Sequence, residues 1–144
     1  MIQITANTVI YRPIAQVFDF ISAPGNDFQW QYGTLVSTPY SKDEPCVGAQ
    51  FQSLGNFMGH RITSTFEVIE YEPNNKYVYK SLSGPLHSIT AFAFEIDKGC
   101  TQVKLTMQAT VVNMINLNES IIEKKMKKQF KENLTLLKNI MEGR

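Results

Sequence analysis

Few side chains in this sequence could carry proton chemistry, and His60 is the first of them. Neutral imidazole sits nearest to pH 7 and can take or give a proton there. His60 follows Gly59 at the start of a strand-like run, and Glu67, the nearest acid along that run, falls on the opposite face by alternation. A general base needs an orienting partner, and the run supplies no nearby acid on the face of His60. His87 follows Pro85-Leu86 at a hairpin start and reads as a loop residue. Tyr77 and Tyr79, two residues apart on one strand face, could offer hydroxyls to a ligand carbonyl. There is no His-x-x-x-His, Glu-x-x-His or Cys-rich spacing for a metal, no Gly-x-Ser-x-Gly elbow and no glycine-rich phosphate loop. The expectation is therefore no catalytic residue, no metal and no cofactor.

The elements that must position these residues follow from hydropathy period and turn chemistry. Ile2 to Ile10 alternates apolar and polar and reads as a half-buried strand. Pro13 suits a helix start, and Ile14, Val17, Phe18 and Ile21 recur at helical spacing. Ser22 to Asn26 breaks that helix, and Asp27 to Gln31 forms a second short helical turn carrying Trp30. From Thr34 the period is two, giving strands at 34–40, 49–54, 61–71, 77–82, 88–96 and 102–112. They are separated by Lys42-Asp43-Glu44-Pro45, Gly55-Asn56, Glu72-Pro73-Asn74-Asn75, Ser83-Gly84-Pro85 and Asp97-Lys98-Gly99. With no helix between them, sequential strands pair antiparallel. A closing helix from about 117 to 141 carries the stripe Leu117, Ile121, Met126, Phe130, Leu134, Leu137 and Met141, with Asn116 or Asn118 as cap.

A curved sheet folded around one helix leaves a hollow, and such hollows take small apolar molecules. Alternation chooses its lining. Ile62, Ser64, Phe66 and Val68 share a face, with His60 if the strand starts there. Ser88, Thr90, Phe92, Phe94 and Ile96 share another, as do Val103, Leu105, Met107, Ala109 and Val111. The candidate ligand contacts are Trp30, His60, Ser64, Phe66, Tyr77, Tyr79, Thr90, Phe92, Phe94, Leu105 and Met107, with Met126 and Phe130 from the helix. Trp30 is expected as a lid or packing residue at the cavity mouth.

Composition narrows the partners. The 144 residues suit one domain spanning 1–144, and a net charge of +1 gives no field to recruit nucleic acid. Lys124, Lys125, Lys127, Lys128 and Lys131 form the one charge cluster. It reads as a solvated face, with weak attraction to anionic membrane surfaces as the sharper alternative. Cys46 and Cys100 lie far apart and read as thiols in a reducing cytosol. No apolar leader or membrane span is visible, so a cytoplasmic protein is expected.

Several segments resemble one family. The strand around Ile4, then Arg12-Pro13-Ile14-Ala15-Gln16-Val17-Phe18-Asp19-Phe20-Ile21, then Asn26 and Trp30, are similar to the opening of the SRPBCC superfamily. So are Val47-Gly48, Phe66-Glu67-Val68-Ile69-Glu70-Tyr71-Glu72-Pro73 and Gly99-Cys100-Thr101-Gln102-Val103. That superfamily groups START lipid-transfer domains, birch-pollen-allergen-like proteins and bacterial polyketide cyclase/dehydrase-like proteins. The resemblance implies an α+β helix-grip fold: a seven-stranded curved antiparallel sheet wrapped around a long C-terminal helix, two short helices after the first strand, and an apolar cavity between. It does not choose an activity, because members include carriers, receptors and cyclases. The apolar inner faces favour binding or transport of a small hydrophobic or amphipathic molecule (lipid, isoprenoid or polyketide-like). The alternative is a polyketide or aromatic cyclase, dehydratase or hydrolase using the same cavity. A role for the outer surface as an interaction module finds no supporting patch.

Overall fold

The computed structural model describes residues 1–40, 46–112 and 118–143. Seven strands form one antiparallel sheet: β1 (Ile2–Ile10), β2 (Thr34–Pro39), β3 (Gln50–Phe57), β4 (His60–Glu72), β5 (Lys76–Ser83), β6 (Leu86–Asp97) and β7 (Cys100–Val111). Their order is β1-β7-β6-β5-β4-β3-β2, so β2 to β7 form a run of neighbours and β1 closes against β7. Between β1 and β2 lie helix α1 (Ile14–Ile21), a 3₁₀ turn (Pro24–Asn26) and the short helix α2 (Asp27–Trp30). The long helix α3 (Glu119–Met141) follows β7, making the helix-grip architecture.

Local chemistry explains the elements. The burial of β1 alternates strictly from Ile2 to Ala6, as period two demands of a strand with one covered face. Asn118 caps α3, its side chain accepting from the Ser120 N–H at 2.7 Å. Ile122, Met126, Leu134, Leu137 and Met141 face the sheet. The stripe therefore begins at Ile122 rather than Ile121, which is 47% exposed. A step of five from Ile121 to Met126 breaks the 3.6 period, whereas a step of four keeps it. Leu117, Asn116 and the turn at 42–45 lie outside the described residues.

One turn and one strand residue differ from expectation. Gly55-Asn56 is not a hairpin turn but the interior of β3. The chain reverses at Met58-Gly59, both with positive φ (50° and 84°), between the paired residues Phe57 and His60. Two residues with φ > 0 make the hairpin turn whose twist matches its strands. Ile96, expected on the covered face, is 70% exposed at the hairpin end of β6, two residues before the turn at Lys98-Gly99.

The exposed edge of β1 is managed by α3. Glu123 accepts the backbone N–H of Gln3 and Glu142 that of Tyr11, each at 2.9 Å. Carboxylates from the helix thus occupy donors that would otherwise be open to strand addition. The core divides in two. A larger cluster around Phe18, Trp30, Phe92, Leu134 and Leu137 lies beneath α1 and the C-terminal half of α3. A smaller one, with Ile2, Ile4, Met107, Ile122 and Met126, lies under its N-terminal half.

Candidate functional site

The concave face of the sheet and the N-terminal half of α3 enclose a cavity of about 190 Å³, open to solvent. It is smaller than the several hundred Å³ typical of ligand pockets. Aromatic rings take up the remaining concave surface. Phe51 stacks on Phe66 at 5.2 Å, and both meet Tyr79 edge-on at 5.2 and 5.3 Å.

Trp30, Ser64, Phe66, Tyr79, Thr90, Phe92, Leu105, Met107, Met126 and Phe130 line this cavity, as strand and helix period lead one to expect. Three expected contacts do not. His60 is exposed at the tip of the β3–β4 hairpin, because its strand begins beyond the covered part of the sheet. Tyr77 is 2% exposed and packs away from the void, stacked on Phe92 and edge-on to Tyr71. Phe94 lies deeper under α1, edge-on to Phe18 at 5.2 Å. Alternation assigns a face correctly, but a face extends beyond the cavity at both ends. Trp30 is wall rather than lid: it is 1% exposed, its ring edge-on to Phe92 at 6.0 Å.

One wall is polar. Asp27 lines the cavity and is 5% exposed. Burial pushes its carboxyl well above the usual carboxylate range, and a hydrogen bond from Ser37 only partly opposes that. Ser37 lies 3.1 Å from Ser53, hydroxyl to hydroxyl. When the ionised Asp27 takes the Ser37 hydrogen, Ser53 is left to donate to Ser37. The Tyr79 hydroxyl is held neutral chiefly by burial, then by the nearby Asp27 charge, while hydrogen bonds with Thr90 and Gln31 pull the other way. A charge on Asp27 therefore disfavours ionisation of Tyr79. Among the described residues, the lining includes no Lys, Arg or His.

Sequence reasoning missed Asp27, Gln31, Phe51, Gln129 and Asn133, all of which line the cavity. A signal was present for two of them. Asp27 stands three residues before Trp30, and so shares its helical face. Asn133 falls in phase with Met126 and Phe130 on α3. Asn133 accepts the Tyr32 N–H at 2.8 Å and Gln129 donates to the Tyr32 carbonyl, so α3 holds the loop after α2 in place. Among the described residues, no group of three His, Cys, Asp or Glu side chains could hold a metal ion, and no helix is long and apolar enough to cross a membrane.

Solved structures share this architecture. A START superfamily protein from Mycobacterium smegmatis superposes with a TM-score of 0.84 at 10% identity, covering 99% of each chain. A protein from Thermus thermophilus gives 0.82 at 15% identity, over 96% of each chain. The Zhui aromatase/cyclase from Streptomyces sp. R1128 gives 0.75 at 14% identity, over 98% of this chain and 91% of its own. At such identities the likeness is one of fold. No curated protein matches the sequence. A family model described as polyketide cyclase/dehydrase and lipid transport matches residues 1–142, and with that match the chain belongs to the polyketide cyclase/dehydrase and lipid transport family.

Proposed function

We propose that this protein binds a small hydrophobic or amphipathic molecule in the cavity between sheet and α3. The observation that carries this reading is a void whose lining combines Phe51, Phe66, Phe92, Leu105 and Met107 with the polar side chains of Asp27, Tyr79 and Thr90. Apolar burial supplies roughly 25 cal/mol per Å² removed from water, before association costs. A dry apolar cavity of about 150 Å³ accepts benzene. The 190 Å³ here therefore suits one ring or one chain end, and a lipid, isoprenoid or polyketide-like ligand would extend out through the mouth. Native mass spectrometry of protein purified from its own host is the test. A co-purifying amphipathic species is the expected result. Bare chain mass together with no saturable uptake of a hydrophobic probe would overturn the reading.

A second reading, a cyclase, dehydratase or hydrolase, is favoured by one observation. Asp27 and Tyr79 both line the cavity, and burial makes the Asp27 carboxyl hold its proton more readily than an ordinary carboxylate, as a general acid does. Product formed from a polyketide analogue by the wild type, and lost in Asp27→Asn, would establish it.

The exposed Lys124, Lys125, Lys127, Lys128 and Lys131 on α3 fit a carrier that docks weakly on anionic membrane surfaces. Co-sedimentation with vesicles containing phosphatidylserine should then fall steeply as salt is raised.

A further inference from the structure

Among the described residues, Asp27 is the one carboxylate of the cavity lining, and that lining offers no Lys, Arg or His to balance it. Its hydrogen-bond partner, Ser37, is not a lining residue. A hydroxyl has one hydrogen to give, so Ser37 serves one of the two carboxylate oxygens. Neither oxygen is sealed from a water-sized molecule without a partner. At least one of them is therefore open to such a molecule, and the cavity is the void that Asp27 lines. Trp30, Phe51, Phe66, Tyr79 and Phe92 share the lining. Ring faces carry negative potential and attract cations. The indole N–H of Trp30, the positive edge of that ring, is sealed from the void. Burial raises the cost of charging Asp27, and a cation brought in by a ligand would offset it.

We propose that the ligand is an amphipathic amine, whose ammonium group pairs with the Asp27 carboxylate while its apolar ring or chain end fills the rest of the cavity. This deepens the ligand-binding reading and rests on it. Other head groups fare worse. An anionic head would add a second negative charge with no cation in the described lining. A neutral hydroxyl or carbonyl would leave Asp27 without a countercharge. A hydrocarbon would also strip water from the open carboxylate oxygen and give no hydrogen bond in return. An ammonium group restores both the charge and the hydrogen bond. The volume of about 190 Å³ limits the enclosed part to one ring with its amine arm.

Phenethylamine, phenethyl alcohol and phenylacetate present the same ring with a cationic, a neutral and an anionic head. Each is titrated at neutral pH by calorimetry. The emission of Trp30, the single tryptophan and a lining residue, reports occupation of the cavity. The amine should bind about tenfold tighter than the alcohol or more, because hydrogen bonds to charged groups are the stronger ones. Phenylacetate should bind about tenfold more weakly than the alcohol or worse, through repulsion by Asp27. In Asp27→Asn, which keeps the shape and loses the charge, the alcohol should still bind and the amine should keep at most about a twofold advantage. An amine no tighter than the alcohol in the wild type, or a preference that persists in folded Asp27→Asn, would overturn the inference while leaving ligand binding intact. Saturable binding of none of the three would overturn the ligand-binding reading and this inference with it. The wild-type order decides the matter even if Asp27→Asn folds poorly.

Discussion

Gly55 and Gly33 meet backbone to backbone, where a Cβ added to Gly55 would lie 2.3 Å from the Gly33 carbonyl oxygen. The contact is fixed by a hydrogen bond from the Asn56 N–H to that same carbonyl at 2.7 Å. It seats the loop after α2 against the middle of β3, at one rim of the cavity. Gly55→Ala should therefore cost about 1–3 kcal/mol, since backbone rather than a flexible side chain must yield. Gly25→Ala, with nothing within 4 Å of the new carbon, should stay within about 0.5 kcal/mol. Urea denaturation of the two variants checks the pair, and equal losses would contradict the close approach.

Asp27 should leave a signature in the pH dependence of stability. Its folded-state pKa is raised by burial above the unfolded value of about 3.9, so the folded protein holds the proton longer. Its contribution is then fully present below the unfolded value and is lost as pH rises through the folded one. Asp27→Asn removes that loss, so the variant should gain stability relative to wild type as pH is raised from about 4 toward neutrality. Melting curves across this interval test it, and a difference that does not grow with pH would contradict the assignment.

Two positions on α3 should respond differently to truncation. Leu137 is fully buried in the larger core cluster, and Leu137→Ala should cost about 2–5 kcal/mol. Phe130 is half-buried and borders the cavity, so Phe130→Ala removes a ring already facing a void. Its cost should fall to about 2 kcal/mol, below the usual range for a packed phenylalanine. Chemical denaturation that ranks Phe130→Ala above Leu137→Ala would place the tightly packed core elsewhere.

Much of this was legible from local pattern. The strands and the closing helix follow from period and turn residues, and so do most of the cavity walls. Three things were not. The β3–β4 turn uses Met58 at φ 50°, a residue with no turn preference, while Gly55-Asn56 carries the composition of a turn and serves instead as a close-approach point. Alternation placed His60, Tyr77 and Phe94 on the covered face, but how far along a strand the void extends depends on where α1 and α3 lie across the sheet. Asp27 shares the helical face of Trp30, but its burial beside Ser37 depends on how α2 packs against β2, which no local pattern states.

His60, the one histidine that sequence placed near the cavity, should be dispensable. It is exposed and outside the lining, so His60→Ala should leave the affinity for a hydrophobic fluorescent probe within about twofold of wild type. A larger loss, in a variant with unchanged melting temperature, would mean that the ligand reaches the β3–β4 hairpin tip.

Occupation of the cavity itself is tested most directly at Ile62, a half-buried lining residue where added bulk projects into the void without replacing a fully packed core side chain. N-phenyl-1-naphthylamine, an uncharged hydrophobic probe, is titrated against wild type and Ile62→Trp, with folding of both checked by thermal denaturation. Cavity binding predicts saturable uptake near one probe per wild-type chain and an affinity at least about tenfold weaker in the folded variant. Equal affinity in the two proteins would place the probe on the surface and contradict a ligand-binding cavity.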